Sequence, residues 1–152
     1  MAYEFRMRRQ IEFVETDMAG IVHFSNFFRF MEATEHAFFR SLGLALHEDR
    51  NGHMQGWARV QASCQYARPL HYRDEVEIEL RVREKTRSSL AYDFVFRRIE
   101  PAGPEAGEVA RGELTVVYIS GARAGGKLRA APMPEDVTRL VEVAPVSSRN
   151  PA

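Results

Sequence analysis

Cysteine occurs only once in the 152 residues, at Cys64, so no internal disulfide can staple the chain. A lone thiol suits a reducing compartment, and the opening MAYEFRMRRQ holds no apolar signal core, so a cytoplasmic location is the expectation. No run approaches the ~18 apolar residues that a membrane-spanning helix requires. An excess of either charge is missing too: 21 Lys and Arg balance 21 Asp and Glu, which argues against nucleic acid or an anionic membrane as partner. The five histidines, His23, His36, His47, His53 and His71, lack the i, i+4 pairing or the Cys partners of a metal site. No Gly-x-Ser-x-Gly elbow marks a serine nucleophile. The Gly-rich stretch 121–127 looks superficially like a phosphate-binding loop, but Leu128 stands where that loop needs Ser or Thr to hold magnesium.

What remains is 45% hydrophobic and 28% charged, the balance of one globular domain over residues 1–152 with its core at about 3–143. From 3 to 14 the apolar residues Tyr3, Phe5, Met7, Ile11 and Phe13 alternate with polar ones, which predicts a half-buried strand. The period then changes. Phe24, Phe27, Phe28, Met31, Phe38 and Leu42 recur at helical steps, predicting a helix over 24–42 with Gly43 as its stop and Ser25 or Asn26 as its cap. Beyond a polar connection at 47–52, period two returns for four strands. These carry Ala58 to Tyr66, Val76 to Val82, Leu90 to Phe96, and a stretch from 108 to 119 after the turn Pro101-Ala-Gly-Pro104. A short helix is expected within 133–143. The pattern is α+β: a five-stranded, mainly antiparallel sheet around one long helix. Val109, Val117 and Ile119 are expected opposite the main face, where self-association would cover them.

Between the first strand and the helix, Asp17 stands before small residues and an apolar run. One carboxylate is thus carried to a helix mouth whose first N–H groups have no intrahelical partners. Two readings stay open. Asp17 is a turn or capping residue, or it attacks a carbonyl, or activates water, while backbone amides near Phe24 and Ser25 polarise the carbonyl oxygen.

The string Asp17-x-x-Gly20-Ile21-Val22-x-x-x-Asn26-Phe27-x-x-x-x-Glu32 resembles the signature of the 4-hydroxybenzoyl-CoA thioesterase family of hotdog-fold proteins. The likeness extends over residues 5–137 through the strand before it, Leu42-Gly43-Leu44, Tyr72-Arg73-Asp74-Glu75-Val76 and the late turn Lys127-Leu128-Arg129-Ala130. The resemblance implies a hotdog fold and hydrolysis of an acyl-CoA thioester to free acid and CoA. It makes Asp17 the nucleophile or general base, with the Phe24 and Ser25 amides on the oxyanion. His23, Asn26 and Glu32 are accessory candidates, and Glu35 is weighed with Glu32 because another hotdog branch uses a helical Glu. The same resemblance places Lys85, Arg87, Lys127 and Arg129 on the CoA phosphates. It implies a homo-oligomer, at least a dimer and by likeness a tetramer, with the cleft between subunits. No metal or prosthetic group is expected, CoA being part of the substrate. The alternatives are a non-catalytic acyl-CoA or acyl-carrier binding protein, and a hotdog hydratase or dehydratase, whose His-containing motif this chain lacks.

Overall fold

The computed structural model describes residues 2–50, 53–122 and 127–146. Five long strands, β1 (Glu4–Gln10), β3 (His53–Tyr66), β4 (Glu75–Lys85), β5 (Ser89–Glu100) and β6 (Gly107–Ala122), form one antiparallel sheet. Two short strands, β2 (Glu48–Arg50) and β7 (Arg129–Ala130), extend it, and the strand order is β1-β4-β5-β6-β3-β2 with β7 beside β6. The helix α1 (Asn26–Ser41) packs on one face, and a six-residue helix α2 (Glu135–Leu140) follows β7. Among the described residues no helix is long and apolar enough to cross a membrane.

The alternation in β4 dictates its seat: Val76, Ile78, Leu80 and Val82 are fully buried, as are Leu90, Tyr92 and Phe96 of β5. The helix presents Phe27, Phe30, Met31, Thr34, Glu35, Phe38 and Phe39 to this surface, steps of three and one that form a single stripe. It sits close to the sheet because Gly112 leaves room; a Cβ there would lie 2.5 Å from the Met31 sulfur. Gly43, with φ +73°, ends the helix. Its N–H donates to Arg40 O and the Leu44 N–H to Phe39 O, the paired bonds of a Schellman closure, and Leu44 is buried.

Several expectations need correction. The first strand stops at Gln10: the Ile11 N–H donates to Asp74 O, and the chain then enters a 3-10 turn, Phe13–Glu15, leaving Phe13 and Val14 exposed. The helix begins at Asn26 rather than Phe24; Ser25 holds the N-cap position as expected, but its side chain makes no capping hydrogen bond. Val109 is in the core, not opposite it, because a register shift at Phe96/Arg97 changes the phase of β6. Val117 and Ile119, alternating with the buried Val116 and Tyr118, do lie on the outer face, which also carries a ladder of charges centred on Glu79, 1% exposed and within ion-pair distance of Arg6, Arg81 and Arg97. The polar connection contains β2, and the terminal helix is confined to Glu135–Leu140. Residues 123–126 of the Gly-rich turn lie outside the described residues.

Candidate active site

The chain leaving the 3-10 turn folds back on itself. The Asp17 N–H donates to Ile21 O, the His23 N–H to Glu15 O, and Thr16 bridges Val22. Gly20, at φ +80°, makes the reversal feasible. The loop is tied to the sheet by the Val22 N–H on Leu70 O and by the Ile21–His71 bridge. Asp17 rides exposed at its tip. One carboxylate oxygen, Oδ1, accepts the Ala19 N–H at 2.8 Å, and the other takes no hydrogen bond among the described residues. The capping reading is therefore half right: Asp17 orders its own turn with one oxygen and keeps the second available.

At the base of the loop the polar side chains turn away from the helix amides. The Ser25 hydroxyl pairs with His23 Nδ1 at 2.7 Å, and the Asn26 amide Nδ2 donates to Glu15 O at 2.8 Å. The Ser25 N–H faces His23 Nδ1 at 3.3 Å, while the N–H groups of Asn26, Phe27 and Phe28 close short turns onto the carbonyls of His23, Phe24 and Ser25. The Phe24 N–H has no partner among the described residues. Of the two amides singled out from sequence, Phe24 is the open one and Ser25 is engaged.

The rim of the loop is aromatic. His23 stacks on Phe24 with centroids 4.5 Å apart, Tyr66 donates its hydroxyl to Phe24 O, and Phe13 meets Tyr72 edge-on at 5.7 Å. Phe13, Met18, Phe24 and Tyr72 all expose large apolar area. Phe27, by contrast, is packed among Phe30, Tyr66 and Phe96 in the core.

The helical acids sit elsewhere. Glu32 is exposed, 3.7 Å from Arg59. Glu35 is not on a polar face at all: it is fully buried, ion-paired with Arg59 of β3 and beside the buried Tyr92. Burial pushes its carboxyl up to about 7, against the opposing pull of the Arg59 charge. The partner strand explains the pairing, since a bulge between Arg59 and Gln61 re-aims the guanidinium toward the helix. Helical spacing puts Glu35 on the buried stripe, four after Met31 and three before Phe38, but carries no sign of its Arg59 partner.

Arg87, Lys127 and Arg129 stand on neighbouring backbone segments, and Lys85 is committed elsewhere. The turn holding Arg87 is bound to the 131–133 segment by the Met133 N–H on Arg87 O, and both flank Tyr118 through the Tyr118 N–H on Ser88 O and the Ala131 N–H on Tyr118 O. Arg129 of β7 pairs with Ser120 of β6, and Arg87, Lys127 and Arg129 are all exposed. Lys85 is spent on structure: its ammonium donates to Thr138 O and Val141 O at the end of α2. The Asp17 loop adjoins the start of β4 and the Arg87 turn follows its end, so the two groups lie a strand length apart within one chain.

The model of the Thioesterase-like superfamily matches residues 11–141. The 4-hydroxybenzoyl-CoA thioesterase of Pseudomonas sp. (strain CBS-3) is 28% identical over 142 residues, 92% of this chain and 99% of that protein. The 1,4-dihydroxy-2-naphthoyl-CoA hydrolase of Prochlorococcus marinus is 30% identical over 99 residues, 60% of this chain and 64% of the relative. Among solved structures, an aspartate-to-asparagine variant of 4-hydroxybenzoyl-CoA thioesterase complexed with 4-hydroxybenzoyl-CoA superposes with TM-score 0.77 and 26% identity, covering 93% of this chain and 100% of that one. A gentisyl-coenzyme A thioesterase gives TM-score 0.70 at 26% identity over 88% of this chain and 99% of that one. The fold is thus the α+β hotdog fold, and with its family model spanning nearly the whole sheet and helix, the chain belongs to the thioesterase-like superfamily.

Proposed function

We propose that this protein is an acyl-CoA thioesterase in which Asp17 works on the thioester carbon while the Phe24 N–H holds the carbonyl oxygen. The observation that carries the reading is the pairing, on one loop, of a carboxylate oxygen and a backbone amide that both lack partners among the described residues. An amide fixed by its fold stabilises a developing oxyanion without reorganisation. Two routes balance. In one, the carboxylate oxygen attacks, CoA leaves as thiolate, and water hydrolyses the resulting anhydride to restore Asp17. In the other, Asp17 takes a proton from water, the hydroxide adds to the carbon, and the departing thiolate receives a proton. The relatives named for hydroxybenzoyl, dihydroxynaphthoyl and gentisyl thioesters, together with the aromatic rim of the loop, favour an aromatic acyl group.

Arg87, Lys127 and Arg129 bind the CoA phosphates in this reading; Lys85 drops out because its ammonium is already held by α2. The eleven residues of β4 separate the basic turn from Asp17 by ~35 Å at ~3.3 Å per residue, so one chain does not serve both ends of the same substrate. A second copy resolves this. Beyond Gln55 the outer edge of β3 is unpaired among the described residues and suits antiparallel pairing with its own equivalent, which supports a cleft between subunits.

Thiol release from aromatic and aliphatic acyl-CoAs, compared between wild type and Asp17→Asn, tests the proposal. Turnover should fall by about 100-fold or more while KM changes little. Equal turnover in the variant removes Asp17 from the chemistry, and substrate binding without any turnover in wild type leaves a binding protein. Single-turnover hydrolysis in heavy-oxygen water separates the routes: label in the Asp17 carboxylate identifies the anhydride.

A further inference from the structure

Between the buried Ile11 and Val22 the chain packs little of itself away: Glu12, Phe13, Val14 and every residue from Asp17 to Gly20 are exposed. Apolar burial therefore does not fix where the tip carrying Asp17 lies. One charged side chain of this stretch turns inward. The Glu15 carboxylate is 12% exposed and ion-paired through Oε2 with Arg9 of β1, whose guanidinium lies 4.2 Å above the ring of Phe30 in α1. Its other oxygen, Oε1, accepts the Glu12 N–H at 2.8 Å. The backbone carbonyl of the same residue takes the His23 N–H at 3.0 Å and Asn26 Nδ2 at 2.8 Å.

Glu15 thus joins four segments: β1, the 3-10 turn, the returning limb of the loop and the first residue of α1. Both groups of the proposed chemistry hang from these bonds. Asp17 follows Glu15 by two residues, and the Phe24 N–H belongs to the peptide that begins at His23. A swing of the Glu15 peptide would move the carboxylate relative to the amide, and a misplacement of ~1 Å can cost about 100-fold in rate. An enclosed ion pair contributes little net stability, because both ions give up water; what the Arg9 pair supplies is orientation. Two of the three exposed side chains nearest it, Phe13 and Val14, have no charge with which to do the same.

We propose that Glu15 is a positioning residue for the thioester chemistry: anchored on Arg9, it holds the peptide carbonyl that sets the spacing between Asp17 and the Phe24 amide. The proposal rests on the acyl-CoA thioesterase reading and gives Glu15 no contact with substrate.

Glu15→Gln keeps the shape of the side chain, but its one carbonyl oxygen cannot accept from both Arg9 and the Glu12 N–H in the places the two carboxylate oxygens now serve. On an aromatic acyl-CoA, at a temperature where circular dichroism shows the variant folded, kcat should fall by about tenfold or more while KM changes by less than about twofold. Hydrogen exchange of the His23 amide should quicken by at least about tenfold, with the amides of β4 unchanged. Asn26→Ala removes the second tie to the same carbonyl without stranding a charge, and should show the same split of kcat from KM, so the test stands even if Glu15→Gln does not fold. Wild-type kcat in folded Glu15→Gln overturns the proposal, as does a loss of kcat without quicker exchange at His23, or wild-type kcat in Asn26→Ala. Asp17→Asn in the same assay separates the failures. If that variant loses turnover while Glu15→Gln keeps it, the thioesterase reading survives and the role of Glu15 does not; if Asp17→Asn is as active as wild type, or wild type hydrolyses no acyl-CoA, both fall together.

Discussion

The Glu35 carboxylate and the Arg59 guanidinium meet between α1 and β3, the acid wholly enclosed and the base 29% exposed. Because Glu35 lies at about 7 when folded against an ordinary 4.5, the folded chain holds a proton that the unfolded chain has released. Its contribution is complete below about 4.5 and is lost as pH rises through about 7. Melting temperature should therefore fall between pH ~5 and ~8, and Glu35→Gln should flatten that slope. Arg59→Met should destabilise by ~3–5 kcal/mol, more at the alkaline end, because it strands the acid. Denaturant titrations at both pH values measure this, and a pH slope unchanged by Glu35→Gln would assign it to other groups.

Glu79 predicts the opposite sign. Burial works against its charged form, but the Arg97 hydrogen bond and the charges of Arg97, Arg81 and Arg6 prevail and hold its carboxyl below the ordinary 4.5. Its stabilisation is present above about 4.5 and disappears as pH falls through the lowered value. Glu79→Gln should thus be less stable than wild type at neutral pH and converge with it in acid, read from melting curves across the acid range.

Phe24→Pro deletes the open N–H and leaves the loop's own hydrogen bonds in place. If that amide holds the oxyanion, kcat on an aromatic acyl-CoA should drop by about 10²–10³-fold, with an unchanged circular dichroism spectrum. An active, folded Phe24→Pro enzyme would move the oxyanion contact to another donor.

Arg87→Ala and Arg129→Ala should raise KM for acyl-CoA at least several-fold, while leaving the rate on the matching acyl-pantetheine, which lacks the nucleotide phosphates, near wild type. Lys85→Ala should instead lower the melting temperature, since it uncaps α2, without altering the preference between the two substrates. Steady-state kinetics on both thioesters distinguishes these cases.

The elements most legible from sequence were those with one partner per face. β4 reads cleanly because every second side chain enters the core, and α1 because one stripe of seven residues does. Val109 misled because a bulge changes which face a residue takes, and a bulge leaves no periodic trace of its own. Ser25 holds the N-cap position, yet its hydroxyl pairs with His23 rather than with a helix amide, a competition between neighbours that residue type does not settle. Asp17 could be found from the order and spacing around it. The inward turn of Glu35 was legible as well, since it stands four after Met31 and three before Phe38 on the apolar stripe, but its partner was not, because Arg59 comes from a distant strand.

The placement of Asp17 and Arg87 beyond opposite ends of β4 has a genetic corollary. If two subunits share the cleft as proposed, two defective alleles, one without the acid and the other without its basic turn, should complement each other when co-expressed, because a mixed dimer would regain one intact cleft. Random pairing of equal amounts restores about a quarter of the wild-type sites, whereas either allele alone restores none.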